Sequence, residues 1–145
     1  MPDPSPRYTQ GMKTRRKVLS DKYVDVAVAN TTPFTADFQE LITEAAWGNV
    51  WSRGTIALRE RSMLTIALLA ALGHHDEVAM HVRATANTGA SMEDIKEALL
   101  HVAIYAGVPA ANHAFKIAAQ AYAEMAANKE DRNCLLYTSD AADEE

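Results

Sequence analysis

Apolar residues recur at helical spacing along most of the chain, and alternating strand patterns are hard to find. Tyr8–Leu19 is a basic amphipathic segment that predicts a short helix stopping near Ser20 and Asp21. Val24–Pro33 is less regular and reads as an extended or turn-rich connection. Thr35 can cap a second helix, with Asp37 in its first turn and Phe38, Leu41, Ile42 and Ala45 on one face. That helix runs toward Trp47 and Trp51 and breaks around Ser52, Arg53 and Gly54. Leu58–Leu72 is the most apolar segment, apolar on nearly all sides after Ser62, which predicts a central buried helix ended by Gly73.

A fourth helix is predicted from about His75 to Thr88, with Asp76 and Glu77 at its positive end and Gly89 closing it. Ser91 followed three residues later by Asp94 reads as a capped start, and Ile95, Leu99 and Val102 carry that helix to Gly107. Pro109 suits a first turn and opens an Ala-rich helix to about Ala127. The expectation is an all-α bundle of six helices with short connections. Trp47, Trp51 and Tyr105 strain what so small a core can hide, which points to subunit contacts; their burial together in one core is an equal alternative.

Composition narrows the class. A chain of 145 residues with 48% hydrophobic side chains makes one globular domain. The final stretch, CLLYTSDAADEE, does not follow from the pattern of the helix before it and matches the in-frame translation of a common sequencing adapter. Residues 1–133 are therefore expected to form the domain, and 134–145 a non-native tail. The tail holds four acids and no base, so residues 1–133 carry 14 basic and 15 acidic groups, and the net charge of −5 belongs mostly to the tail. A near-neutral body argues against nucleic acid as a partner. The single cysteine, Cys134, lies in the tail, which excludes a disulfide framework and a zinc knuckle. No apolar run reaches a membrane-spanning length of about 18 residues, and the first residues lack a signal-peptide pattern, so the expected location is the cytoplasm.

The densest polar cluster beside the apolar helix is Gly73–Arg83. His74, Glu77 and His81 are spaced i, i+3, i+7, which places all three on one stripe of a helix. An imidazole transfers protons near neutral pH, and a carboxylate one turn away orients it and raises its pKa. A general acid/base site, a metal site of two imidazoles and one carboxylate, and a solvated helix start all fit this spacing. Arg15, Arg16, Arg53, Arg59, Arg61 and Arg83 form the second informative set, because guanidinium groups bind carboxylates through paired hydrogen bonds. Each alone is more often a surface charge. His101 and His113 lie in apolar helices and are read as core or interface residues.

The stretches RYTQGMKTRRKVL, ANTTPFTADFQELI, AWGNVWSR, RSMLTIALLAALG, HVRATANTG and IYAGVPAANHAF, from about Arg7 to Ala127, closely resemble the carboxymuconolactone decarboxylase family of the alkylhydroperoxidase D-like superfamily. The resemblance implies a small all-helical subunit assembling as a ring-like homohexamer in the cytoplasm. It also implies loss of CO₂ from 4-carboxymuconolactone, a lactone bearing two carboxylates, in the protocatechuate branch of aromatic catabolism. A related lactone-acid lyase or isomerase, or a helical oligomer that only binds a carboxylated metabolite, are the alternatives. The peroxidase branch of the superfamily uses a Glu-x11-Cys-x2-Cys-x3-His relay, which falls here on Ser62, His74, Glu77 and His81. Only the histidine is retained, and thiol peroxidase chemistry needs thiols this chain lacks at those positions.

The implied reaction requires no cofactor or metal, because the electron pair left by CO₂ is conjugated through a C=C bond to the lactone carbonyl. On this reading His81 delivers the proton and Glu77 sets its protonation state. Arg61 and Arg83 are candidates to bind carboxylate or oxyanion, with Arg15 or Arg53 completing the pocket from the same or a neighbouring subunit. Ser62 and His74 stand at relay positions lining the pocket. Trp47 and Trp51, or Phe34, supply an apolar wall.

Overall fold

The computed structural model describes residues 3–143, and the side chains of residues 3–129. Among the described residues the chain forms seven α-helices and one π-helical stretch, with no strand. The all-α class holds. The expected count of six does not, because two elements differ from the pattern.

Helix α1 (Pro6–Leu19) opens with Ser5, whose hydroxyl accepts the Tyr8 N–H at 3.0 Å, and with Pro6 where the missing N–H is harmless. Its inner face is Gly11, Thr14, Arg15, Val18 and Leu19, at the three- and four-residue spacing of a helix stripe. Helix α2 (Asp21–Ala29) occupies most of the expected connection between Val24 and Pro33. It escapes pattern reading because only Val24 of its nine residues is buried, so it shows no apolar stripe. Ser20 joins the two helices: its N–H donates to the Arg16 carbonyl and its hydroxyl accepts the Tyr23 N–H.

Helix α3 (Ala36–Ile42) starts at Thr35, but the Thr35 hydroxyl accepts the Thr32 N–H of the preceding turn and makes no cap bond to the helix. None of its residues is buried, so the expected inward face does not form; Phe38 and Leu41 remain exposed. The chain continues directly into the π-helix (Thr43–Trp51), whose buried residues are Thr43, Trp47 and Trp51. Helix α1 crosses this stretch in contact. A Cβ on Gly11 would collide with the Thr43 carbonyl oxygen, and one on Gly48 with the Arg7 carbonyl oxygen.

Helix α4 (Leu58–Leu72) ends at Gly73, which takes the left-handed conformation at φ 79°. It is not the central helix its composition predicts. Ser62, Ile66 and Ala70 are buried, while Leu64, Leu68 and Leu72 form an exposed apolar stripe. Helices α5 (His75–Thr88) and α6 (Met92–Tyr105) lie as expected. Ser91 and Asp94 cap α6 reciprocally, at 3.0 and 2.9 Å, and the Arg59 guanidinium forks onto the same Asp94 carboxylate at 2.7 Å, tying α4 to α6. Helix α7 (Val108–Asp143) runs beyond the expected end near Ala127. The side chains of the tail read as foreign fall outside the described residues.

Two clusters form the core. One joins α4 to α7 through Ile66, Val78, Val82, Ile95 and Leu99, with alanines of α7 admitting close approach. The other joins α1, α2, the π-helix and α5 through Val18, Val24, Trp47, Trp51 and Ala84. Trp47 and Trp51 thus share a core, whereas Tyr105 is 86% exposed. Helix α5 separates the clusters and feeds both. No helix among the described residues is long and apolar enough to cross a membrane.

Candidate active site

Helix α5 presents Val82 to one core and Ala84 to the other, and His81 is turned toward the indoles. The imidazole is only 6% exposed. It stacks near Trp51 with centroids 5.8 Å apart and near Trp47 at 6.4 Å, each within 16° of parallel. The two indoles are 5.0 Å from each other. Burial holds the imidazole pKa down, at about 4, against a weaker upward pull from the Glu77 carboxylate. His81 is consequently neutral at pH 7, and its Nδ1 is buried without a hydrogen-bond partner.

The π-helix explains this pocket. Gln39, Thr43, Trp47 and Trp51 follow one another at four-residue spacing, a set an α-helix rotates by about 40° per step. Wider i→i+5 turns beyond Thr43 allow Thr43, Trp47 and Trp51 all to face inward. The Ser52 hydroxyl then donates to the Trp47 carbonyl at 2.6 Å and shares a 2.7 Å hydrogen bond with Thr14. This anchors the end of the π-helix on α1.

The remaining predicted residues do not converge on His81 within one chain. His74 is the exposed N-cap of α5, and Glu77 is exposed one turn before His81. The single stripe therefore contributes one buried group. Arg83 lies about 200° around the helix from His81. It lines a separate groove of about 310 Å³ against α7, with His113 and Lys116. Ser62 is fully buried and shares a 2.8 Å hydrogen bond with Thr88, so it is a core polar pair and not a pocket wall. Arg61 donates to the Arg53 carbonyl at 2.9 Å, and the Arg53 side chain is exposed. His101 and His113 are exposed rather than in the core; His113 stacks on His75 at 3.8 Å. Phe34 is 95% exposed and walls nothing within the chain. Among the described residues, no three His, Cys, Asp or Glu side chains are placed to hold a metal ion.

Arg15 is the exception among the arginines, being buried where the other predicted ones reach solvent. It forms part of the wall of a cavity of about 730 Å³ between α1, α2, α3 and the π-helix. Met12 lines that cavity and also packs against the cluster holding the two indoles, so one side chain links cavity and imidazole pocket. Gln39 and Thr43, the hydrogen-bond partners of Arg15, are absent from the sequence-based candidates. The four-residue spacing that continues into Trp47 and Trp51 is the signal that could have found them.

The profile of the carboxymuconolactone decarboxylase family matches residues 36–120, which span α3 to α7 and include the imidazole pocket. The chain belongs to this family. Its relatives include a 4-carboxymuconolactone decarboxylase of Acinetobacter baylyi, 43% identical over 119 residues, covering 82% of this chain and 89% of the relative. A nitrosuccinic acid decarboxylase of Metarhizium robertsii is also 43% identical, over 102 residues, covering 70% of this chain and 71% of the relative. A 4-carboxymuconolactone decarboxylase sequence of Pseudomonas putida matches at 43% over 47 residues, 32% of this chain and 98% of that sequence. In this chain a neutral, aromatic-walled imidazole stands at position 81, with no thiol at positions 74 or 77.

Proposed function

We propose that this protein is a carboxy-lyase that removes CO₂ from 4-carboxymuconolactone. The observation that carries the reading is the 43% identity to the Acinetobacter baylyi enzyme over nearly its whole length. The site chemistry is consistent with it. The C–CO₂⁻ bond breaks, and its electron pair moves through the C=C bond onto the lactone carbonyl oxygen. The resulting dienolate takes a proton on carbon at the far end of the conjugated system, giving the enol-lactone of β-ketoadipate.

His81 is the proposed proton donor. In the free chain its imidazole is neutral, because burial against two indoles opposes the charged form. A bound substrate with two negative charges reverses that balance, since a nearby anion favours imidazolium. Substrate binding then draws a proton onto His81, and the dienolate removes it. Glu77 is exposed and biases the same equilibrium from one turn away. Trp47 and Trp51 keep water from the imidazole, and a carboxylate moved out of water departs more readily.

The finer reading is a homohexamer acting in the cytoplasm. It is supported by exposed apolar side chains on α3 and α4, which a monomer gains nothing by displaying. On this reading Arg53, exposed within the single chain, completes the His81 pocket from a neighbouring subunit. A second reading, decarboxylation of nitrosuccinic acid, is favoured by an equal identity to the Metarhizium robertsii enzyme. There too the lost carboxylate stands beside an electron sink, a nitro group. Spectrophotometric turnover of freshly generated 4-carboxymuconolactone, run beside nitrosuccinate, tests both. Absence of turnover on the lactone rejects the first.

A further inference from the structure

Arg15 is 5% exposed, yet its guanidinium meets only neutral oxygens. It donates to Gln39 Oε1 at 3.1 Å and Thr43 Oγ1 at 3.4 Å, and its Nε is buried with no partner. No described carboxylate comes within ion-pair distance of it. A buried charge without a counter-charge is destabilising, and a guanidinium cannot escape by losing its proton. Desolvation pushes its pKa down, in the direction expected of a cation held without an anion. The site that leaves this cation unmatched also leaves space beside it, the cavity of about 730 Å³. That volume lies in the ordinary range for small-molecule pockets, about 300–1,000 Å³.

The charge distribution gives the cavity a direction. Arg15 is buried, while the acidic groups among its lining residues, Asp3 and Glu40, are exposed. Glu44 is half-buried and accepts a hydrogen bond from the Ser5 hydroxyl at 3.0 Å. An anion is attracted to the buried end and repelled at the exposed one, so the arrangement orients a bound acid with one carboxylate inward.

We infer that this cavity is a carboxylate-binding chamber, in which a small organic acid places one carboxylate on the Arg15 guanidinium while Gln39 and Thr43 hold that guanidinium in position. The acid is either the retained carboxylate arm of the substrate or a separate effector acid. Only the first source rests on the decarboxylase reading.

The test is an NMR titration of the full chain with succinamate, a four-carbon monoanion, against neutral succinamide. Succinamate is expected to shift the Arg15 Nε–H resonance saturably, and succinamide to leave it in place. Arg15→Gln should weaken succinamate binding about tenfold or more, the loss of a charge-assisted pair. Because Arg15 is buried, Val28→Trp supplies a second variant: Val28 lies on α2, is half-exposed and lines the cavity, so an indole there obstructs the space while leaving Arg15 itself unchanged. It should abolish binding with the fold intact. Succinamate that fails to shift the resonance, or binds both variants as well as the parent chain, overturns the chamber. Competitive inhibition of turnover by succinamate, with a raised KM in Arg15→Gln, assigns the chamber to the substrate arm. Inhibition or activation without competition assigns it to an effector. If the chain fails to turn over the lactone and succinamate still needs Arg15, the decarboxylase reading falls and the chamber stands.

Discussion

The imidazole of His81 lies 5.8 Å from the indole of Trp51, with the two ring planes 16° from parallel. This contact takes the histidine out of water and makes its charge conditional on what binds beside it. Replacing Trp51 by leucine admits solvent, and the His81 pKa should climb from about 4 toward its ordinary 6.5. A ¹³C or ¹⁵N NMR titration of the imidazole reads the change directly. A value unmoved in Trp51→Leu means that burial by the indole is not the cause.

His81 also ties stability to pH. Its folded-state pKa is depressed, so between about 4 and 6.5 the unfolded chain binds the extra proton. Stability from this group is therefore full above pH 6.5 and declines as pH falls toward 4. The total is about 3 kcal/mol, the free-energy difference between an imidazole pKa of 6.5 and one of about 4. His81→Asn should be flatter than the parent chain across this window, and denaturant unfolding at several pH values measures the difference.

Loss of His81 should cost turnover as well. A positioned proton donor contributes about 10²- to 10⁴-fold, so His81→Asn should fall by that factor in kcat. Proton uptake on substrate binding predicts an alkaline limb in the kcat profile, with an apparent pKa well above 4 that disappears in the variant. Retention of near-normal kinetics removes His81 from the chemistry.

Gly11 lets α1 lie directly on the π-helix. A methyl group there runs into the Thr43 carbonyl and the Gly48 backbone, neither of which is a flexible side-chain end. Gly11→Ala should destabilise by about 1–3 kcal/mol or more through overpacking. It should also displace Thr43 from Arg15, because the obstructed oxygen and that hydroxyl belong to one residue. Thermal melts and the Arg15 Nε–H chemical shift report the two effects separately.

Ser20 is held at φ 88°, ψ 154°, a region that glycine alone occupies at ease. Its hydroxyl recovers part of the strain by capping α2 at the Tyr23 N–H. Glycine removes a strain of about 1–3 kcal/mol and forfeits only a few tenths as a cap. Ser20→Gly is expected to raise stability by about 1 kcal/mol, visible as a higher denaturation midpoint.

Much of the fold was legible because its signals are local. Gly73 and Gly89 end helices at positive φ, and Ser91 with Asp94 closes a reciprocal cap within one turn. A periodicity of apolar residues located α4, α5 and α6 for the same reason. Helix α2 escaped because one buried valine makes no period. The depth of α4 was misjudged because composition cannot tell a leucine facing the core from one left outward, as Leu64, Leu68 and Leu72 are.

By itself, then, the sequence determined the all-α class, the family, and the presence of an imidazole without thiols at the relay positions. These rest on residue identity and on spacing along the chain. The tertiary structure alone decided which groups meet. It paired His81 with two indoles 30 and 34 residues away, turned Arg83 to the opposite side of α5, and buried Arg15 beside an open cavity. The physical reason is that a helix fixes the angular order of its own side chains, whereas burial, and with it charge state, depends on helices that arrive from elsewhere in the chain.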